Sequence, residues 1–375
     1  MMNNPTLSLF QTAGIAPRLF NIAERVLSNE RINATDGIAL FEEGNLPFLS
    51  LLAETVSQRF SNNHVYFNRN FHIEPTNICV NHCAFCSYRR RKNEAGCWEY
   101  SIDDIVEKVG SYKNSGATEV HIVGGVHPDR DVYFYADLLS AIKNTDPTLH
   151  IKAFTAVEID AMCGQAGLTI ENGLKLLKES GLGSMPGGGA EIFDEKIRLK
   201  ICPDKTGSTD WLRIHKVAHE LSIPTNATML YGLIENYGHR IDHLERLRNL
   251  QDETNGFNCF IPLKFKHYNN LFSHIKETTT VEDLKNYAVS RIFLDNIPHL
   301  KAYWPMMGKQ VAQISLTFGV DDLDGTIDDS TKIYSMAGST EQKPSASTEE
   351  LINLIKGAGK IPAERDTVYN IINVH

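Results

Sequence analysis

The chain has 375 residues, of which 42% are hydrophobic and 22% are charged, a composition typical of globular proteins rather than disordered or fibrous ones. Its 37 basic and 46 acidic side chains give a formal net charge of −9, which disfavours nucleic acid as a partner. We expect a cytoplasmic protein that does not span a membrane, because the sequence has neither a run of ~18 apolar residues nor an export signal at its start.

The predicted elements begin with helices and then change to an alternating pattern. Helical spacing of apolar residues predicts helices over 16–29 and 47–58, within an N-terminal helical extension at residues 1–65. From residue 71 onward, short apolar runs bounded by Gly, Pro or Asn alternate with longer amphipathic stretches. Eight of these runs are predicted as strands: 71–74, 119–124, 150–156, 182–185, 225–230, 258–263, 299–303 and 312–318.

Amphipathic stretches lie between most of these strands. The clearest are 101–115, which begins with Ser101 and Asp104, and then 169–180 and 280–295. Eight strands with interleaved helices predict an α/β fold of the (β/α)8 TIM-barrel type, and a doubly wound open sheet is the alternative.

We place the barrel at residues 66–335. Residues 336–375 are predicted to form a loop and a helix that pack on it. The loop is predicted at 338–348, and the helix begins at a capping box made by Ser347 and Glu350.

Three of the seven cysteines are clustered in the segment Cys79-Val-Asn-His-Cys83-Ala-Phe-Cys86. An odd number of cysteines without an export signal disfavours a disulfide framework. Zinc would need a fourth ligand, such as His82 or Cys97. Three thiolates around a [4Fe–4S] cluster would instead leave one iron open to a substrate or cofactor. We favour the open cluster, because the segment follows the first predicted barrel strand, where barrel enzymes build their active sites.

Two glycine-containing segments follow predicted strands. Gly124 and Gly125 end the second strand, and three consecutive glycines, including Gly188, lie shortly before Glu191. Glycine lets a ligand approach the backbone closely, and Glu191 could accept hydrogen bonds from ribose hydroxyls. An ordinary turn and a flexible loop are the respective alternatives.

Several cations lie near predicted strand ends and could bind carboxylates, although a solvated surface charge is the alternative for each. They are Arg198, Lys205, His239, Arg240, Lys264 and Lys266. We expect structural roles for the histidines within helical patterns and burial for the scattered cysteines. These are His215, His219, His243, Cys97, Cys163, Cys202 and Cys259. The acidic segment 321–324 is predicted as a turn that closes the barrel mouth.

The Cys-x-x-x-Cys-x-x-Cys spacing, with the aromatic Phe85 before its last cysteine, resembles the signature of the radical S-adenosylmethionine superfamily. The resemblance implies a [4Fe–4S] cluster with one open iron, held by the three clustered cysteines, and S-adenosylmethionine as a ligand of that iron. It also implies that S-adenosylmethionine contacts a defined set of residues, namely Phe85, Gly124, Gly125, Gly188 and Glu191. Val126 departs from the Gly-Gly-Glu segment that is frequent in the superfamily, so backbone carbonyls would hold the methionine amine there.

The resemblance to one family within the superfamily extends over most of the chain. Segments such as 72–77, 119–128, 186–193 and 260–265 look like those of the aminofutalosine synthases, which act in menaquinone biosynthesis. In that family the 5′-deoxyadenosyl radical adds to 3-[(1-carboxyvinyl)oxy]benzoate, and rearrangement and decarboxylation give aminodeoxyfutalosine.

The resemblance further implies a reducing protein partner such as flavodoxin or ferredoxin. It also implies cations for the two carboxylates of the substrate, for which Arg198, His239 and Lys264 are the candidates. The dehypoxanthine futalosine cyclases and the deazaflavin-forming radical enzymes share many of these motifs and are the alternatives. A non-catalytic iron–sulfur or zinc protein is the alternative from another class.

Overall fold

The computed structural model describes residues 5–325, 332–339 and 344–375. Four helices precede the first strand and pack their apolar faces together: α1 (Pro5–Thr12), α2 (Pro17–Leu27), α3 (Ala34–Glu43) and α4 (Leu46–Ser61). The predicted helices at 16–29 and 47–58 are thereby confirmed. α4 also packs on a helix of the barrel, so this extension is joined to the main core.

Nine strands follow within the described parts of the chain. They are β1 (His64–Phe67), β2 (Asn70–Ile73), β3 (Glu119–Ile122), β4 (His150–Ala153), β5 (Thr225–Tyr231), β6 (Phe257–Lys264), β7 (His299–Leu300), β8 (Ile361–Arg365) and β9 (Ile371–Val374).

Helices alternate with the strands from β2 onward. They are α5 (Ile102–Ser111), α6 (Val132–Thr145), α7 (Ala156–Ala166), α8 (Ile170–Glu179), α9 (Glu195–Ile201), α10 (Ser208–Glu220), α11 (Tyr237–Thr254), α12 (Thr280–Phe293), α13 (Trp304–Met307), α14 (Lys309–Ser315), α15 (Ile333–Met336) and α16 (Thr348–Gly357).

The parallel strands form the wall of a barrel in two halves. β2, β3 and β4 pair in one half, and β5, β6 and β7 pair in the other. Isolated parallel bridges join the halves: Ser184 pairs with Lys152 of β4, and Met185 pairs with Thr225 of β5. On the far side, Asp322 bridges both Lys301, which follows β7, and Tyr66 of β1. The ring confirms the predicted barrel, with bridge segments at its fourth and eighth positions.

The predicted strand at 312–318 is wrong. Residues 309–315 form helix α14, and the segment at Asp322 takes the eighth position of the barrel. The apolar run was ambiguous because it is short, and its buried residues Ala312, Ser315 and Leu316 follow helical rather than alternating spacing. Asp321 and Asp322 therefore lie in the barrel wall, and not in a turn over the barrel mouth.

Helix starts follow the capping residues that the sequence displays. Ser101 and Asp104 form a capping box at α5, as predicted. At the start of α16, the Ser347 hydroxyl accepts a hydrogen bond from the Glu350 amide. After α16 the chain forms an antiparallel pair, β8 and β9, and β8 pairs in parallel with β1. The sequence analysis did not predict this sheet. Part of the predicted loop at 338–348, residues 340–343, lies outside the described residues.

None of the helices in the described ranges combines the length and the apolar character needed to cross a membrane. The core is instead one large cluster that runs from the N-terminal helices through the barrel wall to α16.

Candidate active site

A cavity of about 320 Å³ lies at the carboxyl ends of the barrel strands. Its lining comes from strands in both halves of the barrel and from the loops that follow them. This is the end of a barrel where enzymes of this architecture place their chemistry, and the volume is within the range of small-ligand sites.

The loop after β2 carries the clustered cysteines and is held by its own hydrogen bonds. The side chain of Asn77 donates to the Gly96 carbonyl (3.0 Å) and accepts from the Trp98 amide (2.8 Å). The Cys79 amide donates to the Arg90 carbonyl at 3.1 Å. The loop is thus closed on itself, which gives the cysteines a defined frame.

Cys79, Cys83 and Cys86 all line the cavity, and all three are free thiols. Burial raises the pKa of Cys79 and raises that of Cys83 to about 12, so these groups need a cationic ligand to become thiolates. Within the described ranges, no three His, Cys, Asp or Glu side chains converge on the position of a single metal ion. Thiolates are the ligands of iron–sulfur clusters, and three thiols at one cavity fit a [4Fe–4S] cluster that keeps one iron without a protein ligand.

The two other residues considered as a fourth ligand lie elsewhere. Cys97 is half-buried, not fully buried as expected, and it is not among the described residues that line the cavity. His82 is exposed, and its Nδ1 lies 2.9 Å from a carboxylate oxygen of Asp204. This placement favours three protein ligands over four.

The Gly124-Gly125 turn crosses directly over the cysteine loop. The Gly125 amide donates to the Thr76 carbonyl at 2.8 Å. A Cβ at Gly125 would lie 2.3 Å from the Ile78 carbonyl oxygen, so only glycine fits at this crossing. The neighbouring Val126 accepts a hydrogen bond from the Val80 amide at 3.0 Å, which commits its carbonyl to the same loop.

A carboxylate that the sequence analysis did not single out lies beneath this turn. Glu158 accepts hydrogen bonds from the Gly124 amide (3.0 Å) and from the amide and hydroxyl of Thr155 (both 2.8 Å). Its side chain lines the cavity, and burial raises its pKa to about 7. The capping pattern Thr-x-x-Glu at 155–158 is the sequence signal that could have revealed it.

The second glycine segment forms one wall of the cavity. The Gly187 carbonyl accepts from the Thr228 hydroxyl (2.5 Å), and the Gly188 carbonyl accepts from the Trp211 indole (3.2 Å). A Cβ at Gly187 would lie 2.5 Å from the Asn226 carbonyl oxygen. Close contact with β5, rather than flexibility, explains this run of glycine.

Glu191 also lines this wall. It has a left-handed backbone (φ +48°), and its carboxylate accepts from Lys205 Nζ at 2.5 Å. Lys205 lies 5.3 Å from the ring centroid of Phe85, which lines the cavity too. Burial opposes the charge of Lys205, but Cys83 and Glu191 hold its pKa well above the ordinary value. The Lys205 ammonium therefore lies between the loop that carries the clustered cysteines and the cavity wall formed by the second glycine segment.

Arg198 does not reach the cavity, although the sequence made it a candidate for carboxylate binding. Only 2% of Arg198 is exposed. Its guanidinium donates to the carbonyls of Ala190 (2.5 Å) and Ile192 (3.4 Å), and also to that of Thr206. These contacts hold the chain just after the glycine wall, so the structure gives Arg198 a positioning role.

His239 is not at the cavity either. It belongs to the capping box at the start of α11 with Asn236, and its Nε2 lies 4.0 Å from Asp194. Lys264 does line the cavity, and its Nζ lies 2.8 Å from Asp283 and 2.7 Å from the Thr278 carbonyl. Of the three cations proposed for substrate, the structure brings only Lys264 to the candidate site.

The remaining expectations concern buried groups. Cys163, Cys202 and Cys259 are buried, as predicted. His215 and His243 are buried as well and bond to the Thr225 hydroxyl and the Thr228 carbonyl, both at 2.9 Å. These contacts agree with structural roles.

The sequence analysis missed a group of polar residues on the barrel strands that line the deepest part of the cavity. Each of them is directly next to a buried apolar residue in the sequence, as in Phe-His-Ile of β2 and Ile-Lys-Ala of β4. A single polar residue inside an apolar strand was the available signal. The group consists of His72, His121, Lys152, Lys301 and Asp324. We call these five residues the cavity floor.

Comparison with family models divides the chain into two matching regions. Residues 73–247 match the radical SAM superfamily, and residues 254–375 match the CofH/MqnC C-terminal region. The first region contains the cysteine loop and both glycine segments, and the second contains β6 through β9.

Curated relatives match the chain over almost its whole length. The aminodeoxyfutalosine synthase of Thermus thermophilus is 45% identical over 96% of this chain and 97% of its own. That of Streptomyces coelicolor is 40% identical over 94% and 93%. The 5-amino-6-(D-ribitylamino)uracil–L-tyrosine 4-hydroxyphenyl transferase of Methanocaldococcus jannaschii is 40% identical over 92% and 98%.

Solved structures share the fold at low sequence identity. Methylornithine synthase superimposes with a TM-score of 0.70 at 16% identity, covering 91% of this chain and 97% of its own. HydG, a maturase of the [FeFe]-hydrogenase, gives 0.73 at 15% identity, with coverages of 96% and 80%. At this level of sequence identity, these likenesses show the fold alone.

Proposed function

This chain belongs to the radical S-adenosylmethionine superfamily, and we propose that it is an aminodeoxyfutalosine synthase of menaquinone biosynthesis. The observation that carries the proposal is the similarity to the Thermus thermophilus synthase, 45% identity over 96% of the chain. The cavity supports it, because the cysteine loop and two glycine segments meet at the catalytic end of the barrel. The overall reaction converts S-adenosylmethionine and 3-[(1-carboxyvinyl)oxy]benzoate to aminodeoxyfutalosine, with methionine and one carboxylate, released as CO2 or bicarbonate, as by-products.

Superfamily members use a [4Fe–4S] cluster together with S-adenosylmethionine. When bound, these groups supply a 5′-deoxyadenosyl radical. In this chain Cys79, Cys83 and Cys86 would hold the cluster, and no fourth cysteine lines the cavity within the described residues. Three ligands leave one iron accessible from the cavity.

The walls beside the cysteine loop would hold S-adenosylmethionine. Gly124 and Gly125 present backbone to one side of the cavity, and Gly188 presents backbone to the other. Glu191 and Phe85 lie on the same side as Lys205, which fixes the Glu191 carboxylate. These contacts would orient the cofactor so that the radical forms inside the barrel rather than in solvent.

Glu158 compensates for the absence of an acidic residue at Val126. Its carboxylate lies under the Gly124 amide, two residues before Val126, the position at which many superfamily members carry glutamate. Since it also lines the cavity, it could accept a proton from the methionine amine or bind a ribose hydroxyl. This role adds a side-chain acceptor to the backbone carbonyls that the sequence analysis proposed.

The substrate carries two carboxylates, and the cavity wall is basic enough to accept them. Among the described lining residues, six side chains are Lys or Arg and three are Asp or Glu. Among the three predicted cations, we propose that Lys264, which lines the cavity, binds a substrate carboxylate. Arg198 and His239 would affect substrate binding only indirectly, through the loops that they hold. We further propose a reducing protein such as flavodoxin or ferredoxin as electron donor, and a cytoplasmic location.

A second candidate function follows from the archaeal relatives. The Methanocaldococcus jannaschii transferase, named for 5-amino-6-(D-ribitylamino)uracil and tyrosine, is 40% identical to this chain. Identity alone does not separate it from the Streptomyces coelicolor synthase, which is also 40% identical, and the Thermus thermophilus synthase is only slightly more similar at 45%. The charge of the substrate separates them better, because the synthase substrate has two carboxylates and tyrosine is a zwitterion.

A product assay tests the proposal. The anaerobically reconstituted full chain is reduced and supplied with S-adenosylmethionine labelled in its adenosine carbons, together with either 3-[(1-carboxyvinyl)oxy]benzoate or tyrosine plus the ribitylaminouracil. We expect labelled carbon in a covalent product from the benzoate only. Release of unattached 5′-deoxyadenosine with the benzoate, or product from tyrosine alone, would contradict the proposal.

A further inference from the structure

The cavity floor is built from charged and polar side chains rather than from the branched aliphatic residues that usually fill a barrel. Lys152 Nζ lies 2.6 Å from Glu119, and their side chains are 6% and 0% exposed. Lys301 Nζ lies 3.1 Å from Asp324 and 4.0 Å from Asp322. Burial of ion pairs at this depth costs free energy that an apolar core would avoid.

A third cation neutralises the layer below the floor. Arg365 of β8 donates from Nε to a carboxylate oxygen of Asp322 (2.7 Å), and its Nη2 lies 2.6 Å from the same oxygen. Against burial, Lys152 and then Lys301 hold the pKa of Glu119 well below its ordinary value. Likewise Lys301, followed by Lys152, lowers the pKa of Asp324 to about 2. Glu119 and Asp324 are therefore ionised. Three carboxyl side chains around the floor, Glu119, Asp322 and Asp324, are matched in number by Lys152, Lys301 and Arg365.

Hydrogen-bonding groups on the floor remain available to a ligand. The Nε2 atom of His121, a residue that lines the cavity, has no hydrogen-bond partner within the described protein. His121 packs beside His72, with ring centroids 4.8 Å apart. Each lysine ammonium carries three N–H donors, more than its single close carboxylate accepts. Both ammonium groups and His121 line the cavity.

The ionisation of His121 decides what kind of group it offers. Burial, followed by the positive charge of Lys152, holds the pKa of His121 well below its ordinary value. The imidazole is therefore neutral at pH 7 and has one N–H that can donate a hydrogen bond. The floor thus combines a neutral donor with two ammonium donors, a set that matches the oxygens of a carboxylate.

We propose that the cavity floor binds the ring carboxylate of an aromatic dicarboxylate substrate, with His121, Lys152 and Lys301 as its hydrogen-bond donors. This inference rests on the proposed function, because it concerns the substrate of that reaction. The carbon that accepts the adenosyl group must lie near the cysteine loop, so the enol half of the substrate occupies the upper cavity. The carboxylate on the benzene ring is the remote end, and the floor is the part of the cavity that it reaches.

The same geometry explains why charged residues persist on barrel strands. A carboxylate on a fully apolar floor would be desolvated without compensation, whereas the fixed donors of the floor replace its water. The donors are also held rigidly, since Lys152 is tied to Glu119 and Lys301 to Asp324. The floor therefore selects for a substrate with an anion opposite its reacting end.

The experiment compares binding of two ligands to the holoenzyme with S-adenosylmethionine bound and without reductant. One ligand is 3-[(1-carboxyvinyl)oxy]benzoate, and the other is 2-phenoxyprop-2-enoate, which lacks the ring carboxylate. In His121→Leu the Kd of the dicarboxylate is expected to rise roughly ten- to a hundredfold, because a hydrogen bond to a charged group is lost. The Kd of the monocarboxylate is expected to change little.

A conservative variant and a matched control complete the design. His121→Gln retains an N–H donor and should recover part of the preference for the dicarboxylate. His274→Leu removes an exposed histidine that does not line the cavity, and it should leave both Kd values unchanged. If His121→Leu fails to fold, the double variant E119Q/K152Q takes its place. It removes both charges of a buried ion pair, so neither partner is left charged and unpaired, and it should lose the same preference for the dicarboxylate.

The outcomes separate this inference from the proposed function. If His121→Leu, or the double variant in its place, keeps the wild-type ratio of the two Kd values, the floor does not bind the ring carboxylate, whatever the wild-type protein produces. If the wild-type holoenzyme shows no preference for the dicarboxylate, the inference is also overturned. If the wild-type protein binds the dicarboxylate preferentially but forms no labelled adduct with it, the proposed function fails and the floor remains an anion site.

Discussion

The two ends of the cavity differ in the groups that they present to a ligand. At the mouth, thiols and the backbone of glycine-containing loops provide the contacts, and Gly125 is fixed by a close approach to the Ile78 carbonyl. At the floor, ionised side chains on strands provide them, and Lys152 is fixed by Glu119. The mouth suits a cofactor common to a large superfamily, and the floor suits one particular substrate. Variants at the mouth should therefore abolish activity with any substrate, whereas variants at the floor should alter selectivity.

The largest effect is expected at the cysteines. Cys83→Ser replaces one of three thiols that line the cavity, and it should remove nearly all cluster iron and all product formation. Iron and sulfide analysis of the anaerobically reconstituted variant measures this. A variant that retains about four irons per chain and full activity would show that the ligand set is different.

The next effect is expected at the glycine turn. Gly125→Ala places a methyl group 2.3 Å from the Ile78 carbonyl oxygen, so the turn and the cysteine loop must move apart. We expect a loss of roughly 1–3 kcal/mol in the free energy of unfolding and weaker retention of the cluster. Denaturant unfolding under anaerobic conditions measures the first quantity. An unchanged midpoint would mean that the crossing is looser than the structure shows.

A third prediction concerns Glu158 and pH. Because burial raises the pKa of Glu158 from 4.5 to about 7, the folded protein binds the proton more tightly than the unfolded chain does. This contribution to stability is complete below pH ~4.5 and is lost as pH rises through 7, a change on the order of 3 kcal/mol. Glu158→Gln, which does not titrate, should show a flatter dependence of unfolding free energy between these pH values. Identical pH profiles for the variant and the wild type would refute this prediction.

The smallest effect is expected at Cys97, the matched control for the cysteine loop. Its thiol is half-buried and is not among the described residues that line the cavity. Cys97→Ala should therefore keep the full iron content and change activity less than about twofold, within the usual range for substitutions away from a site. Loss of the cluster in this variant would show that Cys97 is a fourth ligand. The contrast drawn above between a cofactor site at the mouth and a substrate site at the floor would then fail.

The mouth could be predicted from the sequence because its signals are local. The spacing of Cys79, Cys83 and Cys86 and the glycines before Glu191 each occupy a few consecutive residues, and the structure brings them to one cavity. The structure also brings Lys264, the last residue of β6, to this cavity. The Thr-x-x-Glu pattern that contains Glu158 is equally local, but such a pattern indicates the start of a helix before it indicates a cavity residue.

The floor could not be predicted in the same way because its residues are far apart in the sequence. His72, His121, Lys152 and Lys301 lie on four different segments, and only closure of the barrel brings them together. The same dependence on tertiary structure explains the error over the eighth strand. One residue, Asp322, takes the position of the eighth strand and bridges both of its neighbours. A segment this short cannot produce an alternating pattern in the sequence.

The most direct test of the account is whether one iron of the cluster is open to the cavity. The anaerobic protein with about four irons per chain is reduced, and its electron paramagnetic resonance spectrum is recorded before and after addition of S-adenosylmethionine labelled with 15N in the methionine amine. The account predicts a changed spectrum and a measurable coupling between the nitrogen and the cluster. An unchanged spectrum from a fully loaded cluster, with no nitrogen coupling, would contradict it.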